Sequence, residues 1–216
     1  MGNAGGNNLS AEFEATRRRI LNDACQQSAK LFEWQSPAGF SAILDALDSL
    51  VADYNHLVGT TSNHREPVFK ASLEGWVLKH FFEHLGVRMA RLVDPHGRSR
   101  PDAELEVADG STVAAEVTEA ITKFHDPSLR PEPGVYPGDQ NRWRESAAEI
   151  PGLLERAAQR KAKKSYAEHS RLLIYLHAGA TWGRTDQQIE EAIATFQARY
   201  IDTFAGVYVL WGDKVY

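Results

Sequence analysis

Residues 98–120 read RSRPDAELEVADGSTVAAEVTEA, two short alternating runs on either side of Asp109-Gly110. Alternation of this kind predicts a β-hairpin, and its parity decides the fold. A two-residue Asp109-Gly110 turn would pair Leu105 with Ala114 and send Asp102 and Glu116 to opposite faces. A three-residue loop, Ala108-Asp109-Gly110, pairs Val107 with Ser111 and puts Gly110 at the left-handed third position of a type I turn plus bulge. That register gathers Ala103, Leu105, Val107, Val113, Ala115 and Val117 on one apolar face. Asp102, Glu104, Glu106, Thr112, Ala114, Glu116 and Thr118 share the other. A one-residue slip would mix the two sets. The three-residue loop therefore predicts Asp102 directly opposite Glu116, with Cβ atoms roughly 5 Å apart.

Two carboxylates so placed repel and raise each other's pKa. A divalent cation between them removes the repulsion, and hard oxygen donors suit Mg²⁺ or Mn²⁺. The competing reading of the same pattern is a solvated acidic face on a two-sided sheet.

Upstream, residues 66–85 form a predicted helix with Phe69, Leu73, Trp76, Val77 and Phe81 on its apolar face, closed by Gly86. Residues 87–93 read as extended, and Asp94-Pro95-His96-Gly97 as a turn. Before the polar loop TTSNHRE, two helices are expected over about 11–34 and 36–59, the second opened by Ser36-Pro37. The expected organisation is a disordered, Gly- and Asn-rich stretch over 1–9, a helical hairpin appendage over 10–60, and a core domain over 66–216. The hairpin could dock a second copy of the chain or a protein partner.

Downstream, residues 124–141 carry several prolines and glycines and read as a loop. A long helix is expected over 142–168, a strand over 171–177, a helix over 186–202 opened by the capping box Thr185 and Gln188, and a strand over 206–211. From residue 66 the order is helix, three strands, helix, strand, helix, strand. This is a mixed α/β plan, not a doubly wound sheet.

The chain has 216 residues, 43% of them hydrophobic and 25% charged, which suits a soluble globular protein able to bury a core without staples. The only cysteine, Cys25, excludes an internal disulfide and a cysteine-based zinc or iron–sulfur site within one chain, and argues for a reducing, cytoplasmic setting. The longest apolar run, LLIYLHAGA, is about half of what a membrane helix needs. The first ten residues have no apolar stretch of the signal-peptide kind. A net charge of −5 argues against a wholly cationic DNA-coating protein but leaves room for a local basic patch. The long helix supplies one. Arg156, Arg160, Lys161, Lys163 and Lys164, with Arg171 beyond, face a single acid, Glu168. Such cations can neutralise backbone phosphates without reading sequence. On the same helix Ile150, Leu154, Ala157, Ala158, Ala162 and Ser165 trace a buried stripe, and Lys161, seven residues after Leu154, falls within it.

Pro101-Asp102, the hairpin, and then Glu116-Val117-Thr118 resemble the motif of the PD-(D/E)xK nuclease superfamily. The element order from 66 to 211 resembles its restriction-endonuclease-like αβββαβ core. The resemblance implies metal-assisted hydrolysis of a DNA phosphodiester, with Mg²⁺ or Mn²⁺ held by Asp102, Glu116 and the carbonyl of Val117. Glu74, in LEGWVLKHFFEHLG, stands where such enzymes often carry an accessory acid. Thr118 departs from the pattern, which has lysine there. Either the catalytic cation comes from elsewhere, with Lys161 as the candidate, or the chain is a non-enzymatic descendant that binds nucleic acid or protein. Arg156, Arg160, Lys163 and Lys164 are the candidate DNA contacts.

His80-Phe81-Phe82-Glu83-His84 matches the HxxEH zinc-hydrolase pattern, which needs both imidazoles on one helical face. Gly86 ends the helix two residues later and Phe81 is needed in the core, so zinc chemistry is the weaker expectation. No nucleophile-elbow or P-loop motif is present. His125-Asp126 reads as a turn pair, and Trp143 and Trp182 as packing residues.

Overall fold

The computed structural model describes residues 5–58, 67–93, 100–121, 140–165, 167–177 and 186–216. Among these, helices α1 (Gly5–Ala29) and α2 (Pro37–Val58) come first, joined by a 3-10 turn at Lys30–Phe32. Helix α3 (Pro67–Lys79) and the single turn α4 (Phe82–Leu85) lead to strands β1 (Val87–Leu92), β2 (Ala103–Val107) and β3 (Thr112–Ile121). Helix α5 (Gln140–Ala162), β4 (Ser170–His177), α6 (Asp186–Tyr200), β5 (Gly206–Trp211) and β6 (Lys214–Val215) complete the order. The six strands form one sheet in the order β1-β2-β3-β4-β5-β6. Pairing is antiparallel through β1, β2 and β3, parallel from β3 to β5, and antiparallel again at β6. The fold is mixed α/β. No helix of the described residues is long and apolar enough to cross a membrane.

Strand β4 explains why helices cover both faces. Its run Leu172 to Leu176 is apolar throughout, as a parallel strand buried on two sides must be. Leu173 and Tyr175 join the cluster built by the N-terminal helices, while Leu172, Ile174 and Leu176 join the one built by α5 and α6. In the first cluster Phe40 of α2 meets Phe82 edge-on at 5.2 Å, and Tyr54 meets Phe69. Gly75 lets α3 close onto α2, since a Cβ there would stand 2.6 Å from Leu44 Cδ2. The hairpin read from sequence as an appendage thus shares one buried cluster with α3, β1 and β2. Gln35 and Ala90 also exchange backbone hydrogen bonds, so the linker between α1 and α2 touches the outer edge of β1.

The turn between β2 and β3 has the three-residue form. Glu106 pairs with Thr112, Leu105 with Val113 and Ala103 with Ala115. Val107 N–H donates to Ser111 O, and Gly110 takes φ 82°, a left-handed value that glycine accepts at no steric cost. Asp109 accepts from the Ser111 amide and hydroxyl at 2.8 and 2.6 Å.

Several boundaries differ from the sequence reading. α1 begins at Gly5, inside the stretch expected to be disordered. The helix expected over 66–85 breaks at His80–Phe81, and the last turn is separate. Strand β3 runs to Ile121, and α5 stops at Ala162 rather than 168. The closing strand β6, entered through Gly212 at φ 65°, was not anticipated. Of the loop expected over 124–141, Gln140 and Asn141 belong to α5, while residues 124–139, with Thr185, His125-Asp126, Trp182 and the Trp143 side chain, lie outside the described residues.

Candidate active site

Asp102 stands one residue before β2, after Pro101. Its carbonyl accepts from Val93 N–H at 2.9 Å, which ties it to the end of β1. Its carboxylate turns the other way, and Oδ2 accepts from Val117 N–H at 2.9 Å. The odd-numbered residues of β3 are those that bond to β2, as the Val107–Ser111 pair sets. The carbonyl of Val117 therefore faces the same side as its amide, at the level where β2 has already ended. The ladder ends at Ala103–Ala115, and Asp102 and Glu116 are the next residue beyond it on each strand.

Glu116 lies on the face covered by α5 and is fully buried. The expectation of a solvated acidic face is therefore wrong at this end of the hairpin, although Glu104 and Glu106 nearer the turn remain partly exposed. Lys161 neutralises the buried pair. Its Nζ lies 2.5 Å from Asp102 Oδ2 and 2.6 Å from Glu116 Oε2. Helical spacing delivers it: Leu154, Ala157 and Ala158 are buried on the same stripe, one and two turns back. Burial by itself would push the Lys161 ammonium down. The charges of Asp102 and Glu116 outweigh burial and hold it above its ordinary value, so it stays protonated.

Glu74 approaches from α3. Its side chain is 17% exposed and pairs with Lys70 at 3.2 Å. Burial, reinforced by the negative charge of Asp102, raises its pKa to about 7. Lys70, four residues before Glu74 on the same helix, is a contact the sequence reading passed over, and i,i+4 charge spacing was the signal for it. Thr118, on the face of Glu116, accepts from Arg160 Nη2 at 3.4 Å. The position expected to carry a lysine is thus met by a guanidinium from α5.

The basic residues divide. Arg156, Arg160 and Lys163 line a groove of about 460 Å³ between α5 and the last residues of β3, while Lys164 is not among the lining residues. Arg171 lies at the start of β4, where its charge acts on Asp109.

The chemistry of the donors fits a hard divalent ion. Two carboxylate oxygens already share one cation, the Lys161 ammonium, and a carbonyl faces the same side. Among the described residues no group of three or more His, Cys, Asp or Glu is disposed to hold a metal. Asp102 and Glu116 would therefore need the Val117 carbonyl and water to complete a shell. The HxxEH histidines form no such site. His80 lies in the break after α3, where its Nδ1–H donates to Trp76 O at 2.7 Å, and His84 packs edge-on to Tyr208.

No family model, curated protein or solved structure matches the chain. Its functional reading rests on the site's own geometry.

Proposed function

We propose that the chain is a metal-dependent deoxyribonuclease of the PD-(D/E)xK kind. The observation that carries the reading is the meeting of Asp102, Glu116 and Lys161 at the point where β2 leaves β3. The order α3-β1-β2-β3-α5-β4, which follows the αβββαβ plan of the restriction-endonuclease-like core, supports it.

In this reading Asp102, Glu116 and the Val117 carbonyl would hold Mg²⁺ or Mn²⁺, which when bound would supply a water of lowered pKa and positive charge beside the scissile phosphate. The remaining work falls to the chain's own groups. Glu74, poised near neutrality, takes a proton from the attacking water. Lys161 remains an ammonium and serves as an electrostatic stabiliser rather than a base, supplying the cation that Thr118 lacks. Arg156, Arg160 and Lys163 hold the DNA backbone. The N-terminal helices and the linker between them, where Phe13 and Trp34 are exposed, are the proposed meeting place for a second copy or partner.

The test is cleavage of plasmid and single-stranded DNA with Mg²⁺ or Mn²⁺ by wild type, Asp102→Ala and Glu116→Ala. Cleavage lost in both folded variants supports the reading. Wild-type protein that neither cleaves nor binds a divalent ion refutes it. A second reading, a non-enzymatic nucleic-acid or protein binder on this fold, is favoured by Lys161 itself, which neutralises the two acids with no metal required. Salt-sensitive DNA binding without Mn²⁺ binding selects it.

A further inference from the structure

Strand β3 carries Thr118 two residues beyond Glu116 on the same face, ~7 Å away at strand spacing. A lysine there would aim an ammonium at a phosphate seated beside the acids. Thr118 has no charge, yet its Oγ1 accepts from Arg160 Nη2 at 3.4 Å, so a guanidinium stands where such a lysine would reach. Arg160 adjoins Lys161 on α5, but the two cations are placed differently. The Lys161 ammonium is pinned between Asp102 and Glu116 at 2.5 and 2.6 Å, and its charge is answered within the protein. Arg160 is exposed, and among the described residues it forms no ion pair with a carboxylate. Its planar fork carries several N–H donors, and the contact with Thr118 uses only one.

The neighbouring cations do not share this position. Helix α5 runs antiparallel to β3, since Lys161 meets Glu116 while Arg160, one residue earlier, meets Thr118, two residues later. Arg156 therefore stands a further turn, ~6 Å, from the acids. Its guanidinium lies back over Gly152, where a Cβ would be 3.4 Å from Nη1. Lys163 lies just past the end of α5. Hydrolysis adds water across a P–O bond: the water oxygen bonds to phosphorus, its proton passes to Glu74 in the proposed mechanism, and the ester oxygen leaves with a proton from solvent. Negative charge is carried meanwhile by the non-bridging oxygens. A guanidinium held in advance stabilises that charge without having to reorganise, and its fork matches two phosphate oxygens. We infer that Arg160 meets the non-bridging oxygens of the scissile phosphate and that Thr118 is its positioning partner, so that the lysine missing from the strand is replaced from the helix. The inference rests on the proposed nuclease reading and adds a second cation to it: Lys161 balances the acids and Arg160 the phosphate.

The experiment has two arms, both on the full chain. The first, in EDTA, measures urea unfolding of wild type, Thr118→Lys, Arg160→Ala and the double variant. Thr118→Lys should set two cations against each other, lowering the midpoint in the wild-type background but not in Arg160→Ala. Equal shifts in the two backgrounds overturn the pairing of Thr118 with Arg160. The second arm measures plasmid cleavage in Mg²⁺ at saturating protein, with Asp102→Ala as the inactive reference. Arg160→Ala should cut about a hundredfold more slowly at saturation. Arg156→Ala should instead raise the protein concentration needed for half-maximal cleavage. Adding Thr118→Lys to Arg160→Ala should recover about tenfold, because an ammonium from the strand then takes the guanidinium's place. Arg160→Ala cutting within about threefold of wild type, or a double variant no faster than Arg160→Ala alone, overturns the inference and, with Asp102→Ala inactive, leaves the nuclease reading standing. Wild-type protein that cuts no faster than Asp102→Ala overturns the nuclease reading and the role of Arg160 together.

Discussion

Lys161 Nζ lies within 2.6 Å of a carboxylate oxygen on both Asp102 and Glu116, so a single ammonium from α5 neutralises two acids contributed by the hairpin. Removing it takes the Lys161 counter-charge from two acids, one of which, Glu116, is fully buried. Lys161→Met is expected to lose about 3–5 kcal/mol of stability in EDTA. A divalent ion should then recover much of that loss, because it supplies positive charge to the two acids where the ammonium is gone. Thermal melts with and without Mn²⁺ check this: an Mn²⁺-dependent rise in Tm no larger than that of wild type contradicts binding of the ion by these acids.

Asp102 has two separable duties. Its Oδ2 accepts the Val117 N–H, and its charge faces Lys161. Asp102→Asn keeps an amide oxygen for Val117 but removes the charge, whereas Asp102→Ala removes both. Cleavage is expected to fall by about a hundredfold or more in each. Only the alanine variant should also lose the ~1–3 kcal/mol that an unsatisfied buried N–H costs. Urea denaturation beside single-turnover cleavage separates the two duties.

Glu74 links stability to pH in a direction opposite to that of most carboxylates. Its folded pKa of about 7 lies above its ordinary value of 4.5, so the folded chain binds this proton more tightly than the unfolded one. The associated stability is full below the unfolded value and drains away as pH rises through about 7. Between pH 5 and pH 8 the wild type should lose on the order of 2–3 kcal/mol through this group, a loss Glu74→Gln escapes. If Glu74 is the proton acceptor, the wild-type cleavage rate climbs over the same range and that of Glu74→Gln stays low and flat. Denaturation curves at the two pH values that shift in parallel for both proteins would contradict the linkage.

Gly75→Ala should destabilise the protein despite the better helix propensity of alanine. The new methyl would meet Leu44 Cδ2 at 2.6 Å, and Leu44 is fully buried. Overpacking of this kind costs ~1–3 kcal/mol, against about 1 kcal/mol gained in the helix. In the Leu44→Ala background the same change should turn neutral or stabilising. A double-mutant cycle by chemical denaturation measures the difference.

The hairpin register was legible because alternation has a period of two and one face is apolar, so Ala103 and Leu105 could not slip by a residue. Lys161 was legible because its distance from Leu154 is two helical turns. Glu116's burial was not: the helix that covers it lies more than twenty residues farther on, and strand alternation says nothing about what packs against the polar face. The groove was missed for a related reason. The two faces of the hairpin were assigned only as far as Thr118, so Ala120 and its neighbours had no assigned place. The break after Lys79 was hidden by apolar residues that satisfy a continuous helix and a broken one equally well.

Fifty-nine residues separate Asp102 from the lysine that balances it. A cut anywhere between β3 and α5 would leave both acids on one fragment and their cation on the other. Each piece would then lack the other's counter-charge, and the two should find one another through complementarity of sign, which makes this junction a natural place to build a split, reassembling form of the protein.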